Sequence, residues 1–118
     1  MGQMNDRIQQ VSGLIQRLQQ KYPTEIEAFL TFSGKTEATG ALSAQAKSLI
    51  NVALAVAAQC EWCIALHVQA AIHAGATQDE IIEAGFMAVM MHGGPALMYL
   101  TPLLQSLDEF LPGADTGV

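Results

Sequence analysis

The residues best suited to chemistry are Cys60, Cys63 and His67, which lie in an apolar, alanine-rich stretch of this 118-residue chain. They are three, four and seven residues apart. A helix advancing about 100° per residue returns such positions to one face, within an arc of roughly 60°. A helix through this stretch therefore predicts two thiols and an imidazole at one place.

Such a group is suited to redox chemistry. A thiol reacts as its thiolate, and its free pKa of about 8.5 must be lowered for use at neutral pH. A helix N-terminus near Cys60 and Cys63 would favour the negative charge, and His67 would accept the proton of Cys63. An oxidised sulfenic acid on one cysteine can then condense with the other to form a disulfide.

Metal binding and core packing are the other interpretations of a C-x-x-C pair in a reducing compartment. A structural zinc site takes four ligands, whereas only three candidates are local, so Glu83 or His92 would have to complete it. His67 alone would be a buried histidine bonded to a carbonyl, but its shared face with both cysteines favours a functional role. We expect neither a metal nor a cofactor.

Other candidate side chains have plainer interpretations. His73 is expected at the surface, and His92 either leads into a pocket or interacts with a helix C-terminus. Trp62 forms either an apolar wall beside the thiols or an anchor in the core. Four methionines are expected to fill the core or a subunit interface, with the lining of a substrate site as the minor alternative: Met87, Met90, Met91 and Met98.

The elements that position these residues are all predicted to be helical, because no alternating strand pattern of useful length occurs. The predicted helices span residues 4–22, 24–34, 44–58, 63–74, 79–91 and 95–110. Thr24 is the expected cap of the second helix, and a polar loop is expected between Gly34 and Gly40. The third helix is apolar all round and is expected to be buried on most sides. Whether it continues into the fourth or breaks near residues 59–60 stays open.

Three local signals mark helix ends, and the first is Ser43, which is a suitable N-cap for the third helix. Gly75 is suited to a left-handed helix end, and Thr77 with Glu80 forms a capping box. Pro102 lies inside the last predicted helix and should kink it. The tail, residues 112–118, is expected to be loose. The prediction is a single domain over residues 1–118, all-α, with a compact bundle of about six helices.

Composition limits the partners. Hydrophobic residues make up 51% of the chain and charged residues 14%, against about 25% charged in ordinary domains. This shortage predicts a homo-oligomer that covers apolar faces. A net charge of −6 with five Lys and Arg residues disfavours nucleic acid and an anionic membrane surface. The apolar run 49–58 is too short to span a bilayer, and no secretory signal is evident, so a cytoplasmic protein is expected.

Residues 42–110 resemble the carboxymuconolactone decarboxylase and alkylhydroperoxidase D-like family. The likeness lies in an alanine-rich helix leading into C-x-x-C-x-x-x-H at 60–67, the turn at 75–77, Glu80-Ile81-Ile82-Glu83 and Gly93-Gly94-Pro95-Ala96. The resemblance implies an all-helical fold that forms trimers or hexamers. It also implies reduction of a hydroperoxide by a cysteine pair, followed by re-reduction by a thiol or disulfide electron donor.

By position, the resemblance implies that Cys63 reacts with peroxide, Cys60 resolves the product and His67 relays the proton. The family's relay glutamate lies twelve residues before the first cysteine, where this chain has Ser48. Glu61, Glu83 or a group from a neighbouring subunit would have to take its place. The decarboxylase branch typically lacks the cysteine pair, so lactone decarboxylation is the weakest of the hypotheses.

Two functional hypotheses follow. The leading one is an enzyme, a thiol-dependent peroxidase or disulfide oxidoreductase with alkylhydroperoxidase-like, peroxiredoxin-type activity. The alternative is a non-catalytic helical oligomer that senses redox state or binds a metal, which the serine at position 48 keeps open.

Overall fold

The computed structural model describes residues 2–111, and all regular elements in that range are helices. Their bounds are α1 Gln3–Lys21, α2 Pro23–Glu37, α3 Ala44–Ala57, α4 Glu61–His73, α5 Gln78–His92, α6 Gly94–Met98 and α7 Leu100–Phe110. The prediction of an all-α fold is confirmed. The predicted loose tail, 112–118, lies outside the described residues.

Helices α3 and α4 form an antiparallel pair at the centre of the fold. The side-chain amide of Gln45, near the start of α3, donates to the carbonyl of Ala74 just after α4 at 3.3 Å. Helix α5 packs on α3, and α7 packs on α4. The fully buried side chains shared by these four helices form the core, and they include Val52, Val56, Ile64, Val68, Ile81, Leu103 and Leu107.

Local capping signals predicted three helix ends correctly. The hydroxyl of Ser43 accepts from the backbone N–H of Ala46 at 3.0 Å. Thr77 and Glu80 satisfy each other's backbone donors at 2.8 and 3.1 Å, as a capping box does. Gly75 has a φ of 91°, the left-handed conformation expected after α4.

Helix α2 differs from the prediction at both ends. Pro23 is its first residue and Tyr22 precedes it, so Thr24 lies inside the helix and does not cap it. The helix also continues through Gly34 as far as Glu37. A glycine inside a helix costs only about 1 kcal/mol, and contacts from α3 to this end of α2, described below, stabilise the extra turn.

The last predicted helix is two helices, α6 and α7, separated by Tyr99. The kink expected inside a helix at Pro102 is wrong, because Pro102 is the third residue of α7. The first turn of a helix needs no internal N–H donor, so proline fits there without breaking a bond. Tyr99 closes α6 through N–H bonds to the carbonyls of Pro95 and Ala96 at 3.3 and 3.1 Å.

Helix α1 is fastened to α7 at its N-terminus. The Glu109 carboxylate accepts from the backbone N–H groups of Met4 and Asn5 at 3.0 and 2.8 Å. Gly2, the residue before α1, provides no side-chain cap, so Glu109 fills that role from the other end of the sequence. Met4 is fully buried beside this contact.

Several large apolar side chains are exposed in the described part of the chain, residues 2–111. Helix α3 is buried or half-buried at most of its positions, as predicted, but Ile50 and Leu54 on it are 45% and 60% exposed. Phe29 and Phe32 on α2 are more than half exposed, and the predicted core role of the methionines is wrong within one subunit, because all four are exposed: Met87, Met90, Met91 and Met98. The subunit-interface role of these methionines stays a prediction.

Candidate active site at the start of helix α4

A tight turn separates α3 from α4 and decides where the cysteines lie. Gln59 has a φ of 57°, a left-handed conformation that costs a non-glycine residue roughly 1 kcal/mol. Cys60 follows in extended conformation as the N-cap of α4. Its sulfur accepts from the backbone N–H of Cys63 at 3.1 Å. The question left open by the sequence is settled: the two helices break here, and both cysteines lie at a helix N-terminus.

Cys60 and Cys63 form a disulfide across the first turn of α4, with their Cα atoms 5.2 Å apart. Both residues are half-buried. The pair is therefore in its oxidised form, with a Cα separation in the usual range for a disulfide.

His67 lies one turn beyond Cys63 on α4 and is half-buried. Its burial lowers the pKa of the imidazole below 6.5, and the negative charge of Glu37 opposes that shift. The imidazole is thus neutral near pH 7 and able to accept a proton. The arc predicted from the spacing places it on the face of α4 that carries both sulfurs.

Glu37 is the residue near the site that the sequence did not reveal. It is the last residue of α2, within the segment expected to be a loop, and it lies thirty residues before His67. Its carboxylate accepts from the side-chain amide of Asn51 on α3 at 2.9 Å. No local sequence pattern links these residues, because α2 and α3 bring them together through tertiary packing.

Ser48 and Glu61, two of the candidate supporting residues, are both engaged elsewhere. Ser48 is buried, and its hydroxyl donates to the carbonyl of Gln45 in its own helix at 2.6 Å. The Glu61 carboxylate pairs with the Arg7 guanidinium on α1 at 3.7 Å.

Glu83 and His92, the other two candidates, lie on α5. Glu83 lines a cavity of about 470 Å³ with Leu49, Ile50, Ala53, Leu54, Glu80, Ala84 and Met87. His92 is the exposed last residue of α5, and His73 is also exposed, as predicted. Over residues 2–111, no group of three or more His, Cys, Asp and Glu side chains is arranged to hold a metal ion.

Trp62, between the two cysteines, faces α1 rather than the core. Its indole N–H donates to the Gln10 side-chain oxygen at 2.7 Å, and the Arg7 guanidinium lies 5.1 Å from the ring centroid. Trp62 is 45% exposed, so the core-anchor interpretation is wrong. With Gln10, Val11 and Leu14 it lines a cavity of about 450 Å³ between α1 and the start of α4.

Among the described residues, no helix is both long and apolar enough to cross a membrane. The fold and the site together define a small all-helical protein with a disulfide-bonded C-x-x-C pair at a helix N-terminus. A model of the carboxymuconolactone decarboxylase family matches residues 23–106. The chain belongs to the carboxymuconolactone decarboxylase family, as the sequence motifs indicated.

Two individual proteins are similar to this chain over most of its length. An uncharacterized protein of the cox locus in Paracoccus denitrificans is 43% identical over 83 residues, which cover 70% of this chain and 75% of that protein. An uncharacterized protein of Cupriavidus necator is 30% identical over 105 residues, covering 89% and 93% of the two chains.

The crystal structure of an apo carboxymuconolactone decarboxylase family protein from Legionella pneumophila has the same fold. Its TM-score is 0.87 at 34% sequence identity, with 91% of this chain and 96% of that chain covered.

Proposed function

We propose that this protein is a thiol-dependent peroxidase in which Cys63 reduces a hydroperoxide and Cys60 closes the disulfide. The observation that carries the proposal is the Cys60–Cys63 disulfide at the N-terminus of α4, with the half-buried His67 one turn further on. The cysteine pair supports thiol redox chemistry over decarboxylation of a lactone.

The proposed reaction begins at Cys63 and ends with the Cys60–Cys63 disulfide. His67 accepts the proton of the Cys63 thiol, and the thiolate attacks one peroxide oxygen, which breaks the O–O bond. The products are a sulfenic acid on Cys63 and an alkoxide, which takes the proton back from His67 and leaves as the alcohol. The Cys60 thiol then displaces hydroxide from the sulfenic sulfur, so that a disulfide and one water form.

The cycle closes when a dithiol donor reduces the disulfide by thiol–disulfide exchange and becomes a disulfide itself. The reducing cytoplasm, our proposed location, contains such donors. The N-terminus of α4 assists the first step, because unpaired backbone N–H groups and the helix dipole favour the thiolate there. At the same helix end, the backbone N–H of Cys63 donates to the sulfur of Cys60, the proposed resolving cysteine.

We also propose that the protein works as a homo-oligomer, a trimer or hexamer. The supporting observation is the set of large apolar side chains left exposed on α2, α3 and α5, including Phe29, Phe32, Leu54 and Met90. Exposed apolar surface of this extent is unusual for a monomer.

Turnover of an organic hydroperoxide with a dithiol donor tests the proposed function. Wild-type protein should turn over, Cys63→Ser should lose all activity, and Cys60→Ser should react once and then stop for lack of a resolving thiol. Equal turnover in wild type and Cys63→Ser would refute the proposal. One tightly bound zinc per subunit after purification under reducing conditions would favour the metal-binding alternative instead.

A further inference from the structure

We propose that Glu37, held by Asn51, is the carboxylate that supports His67 as the base for Cys63. This inference rests on the proposed thiol chemistry and adds a positioning residue to it. Glu37 lies on α2, whereas Ser48 lies on α3. The carboxylate that supports His67 therefore comes from α2 in this protein.

The register of α3 and α4 brings Asn51 level with His67. Gln45 contacts Ala74 where the antiparallel pair begins. Asn51 lies six residues after Gln45 on α3, and His67 lies seven residues before Ala74 on α4. Because both helices rise 1.5 Å per residue, these positions lie at about the same level of the helix pair. Asn51 in turn bonds to Glu37 at 2.9 Å.

Two side chains of α3 hold the end of α2 in place although Glu37 itself is exposed. The Lys47 ammonium donates to the carbonyls of Thr36 and Ala38, on either side of Glu37, at 2.8 Å each. Asn51 binds the carboxylate itself. These three bonds hold both the backbone and the side chain of Glu37 in place. An ordinary exposed glutamate at a helix end has no such bonds.

A cavity of about 190 Å³ lies where these elements meet, lined by Glu37, Ala44, Ser48, Asn51, Ala70 and Ala74. Ala70 and Ala74 are three and seven residues after His67, so they share its face of α4. The Ser48 hydroxyl donates to its own helix and is committed there. Among the residues that line this cavity, Glu37 is the one with a charged side chain.

The electrostatics agree with this geometry. Burial lowers the pKa of His67, and the Glu37 charge partly restores it. Of the other charged groups near α4, Lys47 is bonded to the end of α2, and Arg7 and Glu61 pair with each other on the α1 side. When His67 takes the thiol proton it becomes an imidazolium, which a nearby carboxylate stabilises.

The test compares Glu37→Gln and Asn51→Ala with Glu27→Gln, an exposed glutamate ten residues earlier on the same helix. The first measurement is the pKa of His67, determined by an NMR titration of the disulfide form at low ionic strength. We expect this pKa to fall in Glu37→Gln, to fall less in Asn51→Ala and to stay unchanged in Glu27→Gln. Superimposable titrations of wild type and Glu37→Gln would overturn the inference.

The second readout is the rate constant of the reduced protein with cumene hydroperoxide across pH. In Glu37→Gln the rate near pH 7 should fall about two- to five-fold, the range expected for losing one exposed charge pair, and added salt should narrow the difference. Glu27→Gln should match wild type.

The two readouts separate the inference from the proposed function. A wild-type protein that does not react with hydroperoxide would refute the peroxidase, whatever the NMR titration shows. A reactive wild type whose rate and His67 titration are both unchanged by Glu37→Gln would refute the role of Glu37 alone.

Discussion

Replacing Glu109 by glutamine should loosen the attachment of α1 to α7. The carboxylate accepts two backbone N–H bonds at the N-terminus of α1, from Met4 and Asn5, and its negative charge is favourable at that end of the helix dipole. Glutamine keeps one acceptor oxygen and loses the charge. Losing one charge-assisted bond and the dipole interaction costs about 1 to 2 kcal/mol of unfolding free energy.

That loss should lower the midpoint of thermal unfolding by about 4–8 °C for a domain of this size. Calorimetry or circular dichroism at matched protein concentration measures it, because oligomer formation makes the midpoint depend on concentration. Asp108→Asn is the matched control, since Asp108 is the exposed neighbouring carboxylate on the same helix. If both variants unfold at the wild-type temperature, Glu109 does not cap α1 as described.

Three further outcomes follow from burial and exposure. Burial lowers the pKa of His67 in the folded protein below its value in the unfolded chain, so the unfolded state binds more protons at pH values between the two. The free energy of unfolding of the wild type should therefore rise with pH through that window, and urea unfolding of His67→Gln should show no such rise. Leu103→Ala, at a fully buried position, should lose about 2–5 kcal/mol in urea unfolding, while Leu97→Ala, 46% exposed, should lose under about 1 kcal/mol. Sedimentation should show several subunits in wild type and fewer in Phe32→Glu; a wild-type monomer at micromolar concentration would contradict the proposed assembly.

The sequence predicted the features whose causes are local. The C-x-x-C spacing at 60–63 predicted that the two sulfurs meet, because helical periodicity depends on neighbouring positions alone. The capping box at Thr77 and Glu80 and the left-handed Gly75 were predicted for the same reason. Their geometry is decided within a single turn of chain.

The features that were missed depend on distant parts of the chain. Helix α2 passes Gly34 because Lys47 satisfies its final carbonyls, a contact that no local pattern signals. The position of Glu37 beside the site follows from that extension. The Glu109 contacts with Met4 and Asn5 join residues more than 100 positions apart, and only the packing of α1 on α7 creates them.

In the proposed reaction peroxide oxidises the thiol of Cys63, and the decisive experiment traps the sulfenic acid on that residue. Reduced Cys60→Ser protein is treated with one equivalent of cumene hydroperoxide and a dimedone-type reagent, and the labelled peptide is identified by mass spectrometry. We expect one label on Cys63 if the proposed reaction is correct, and much less label in a Cys60→Ser, His67→Gln double variant. An unlabelled Cys63, or full labelling of Cys60 in the reciprocal Cys63→Ser protein, would contradict it.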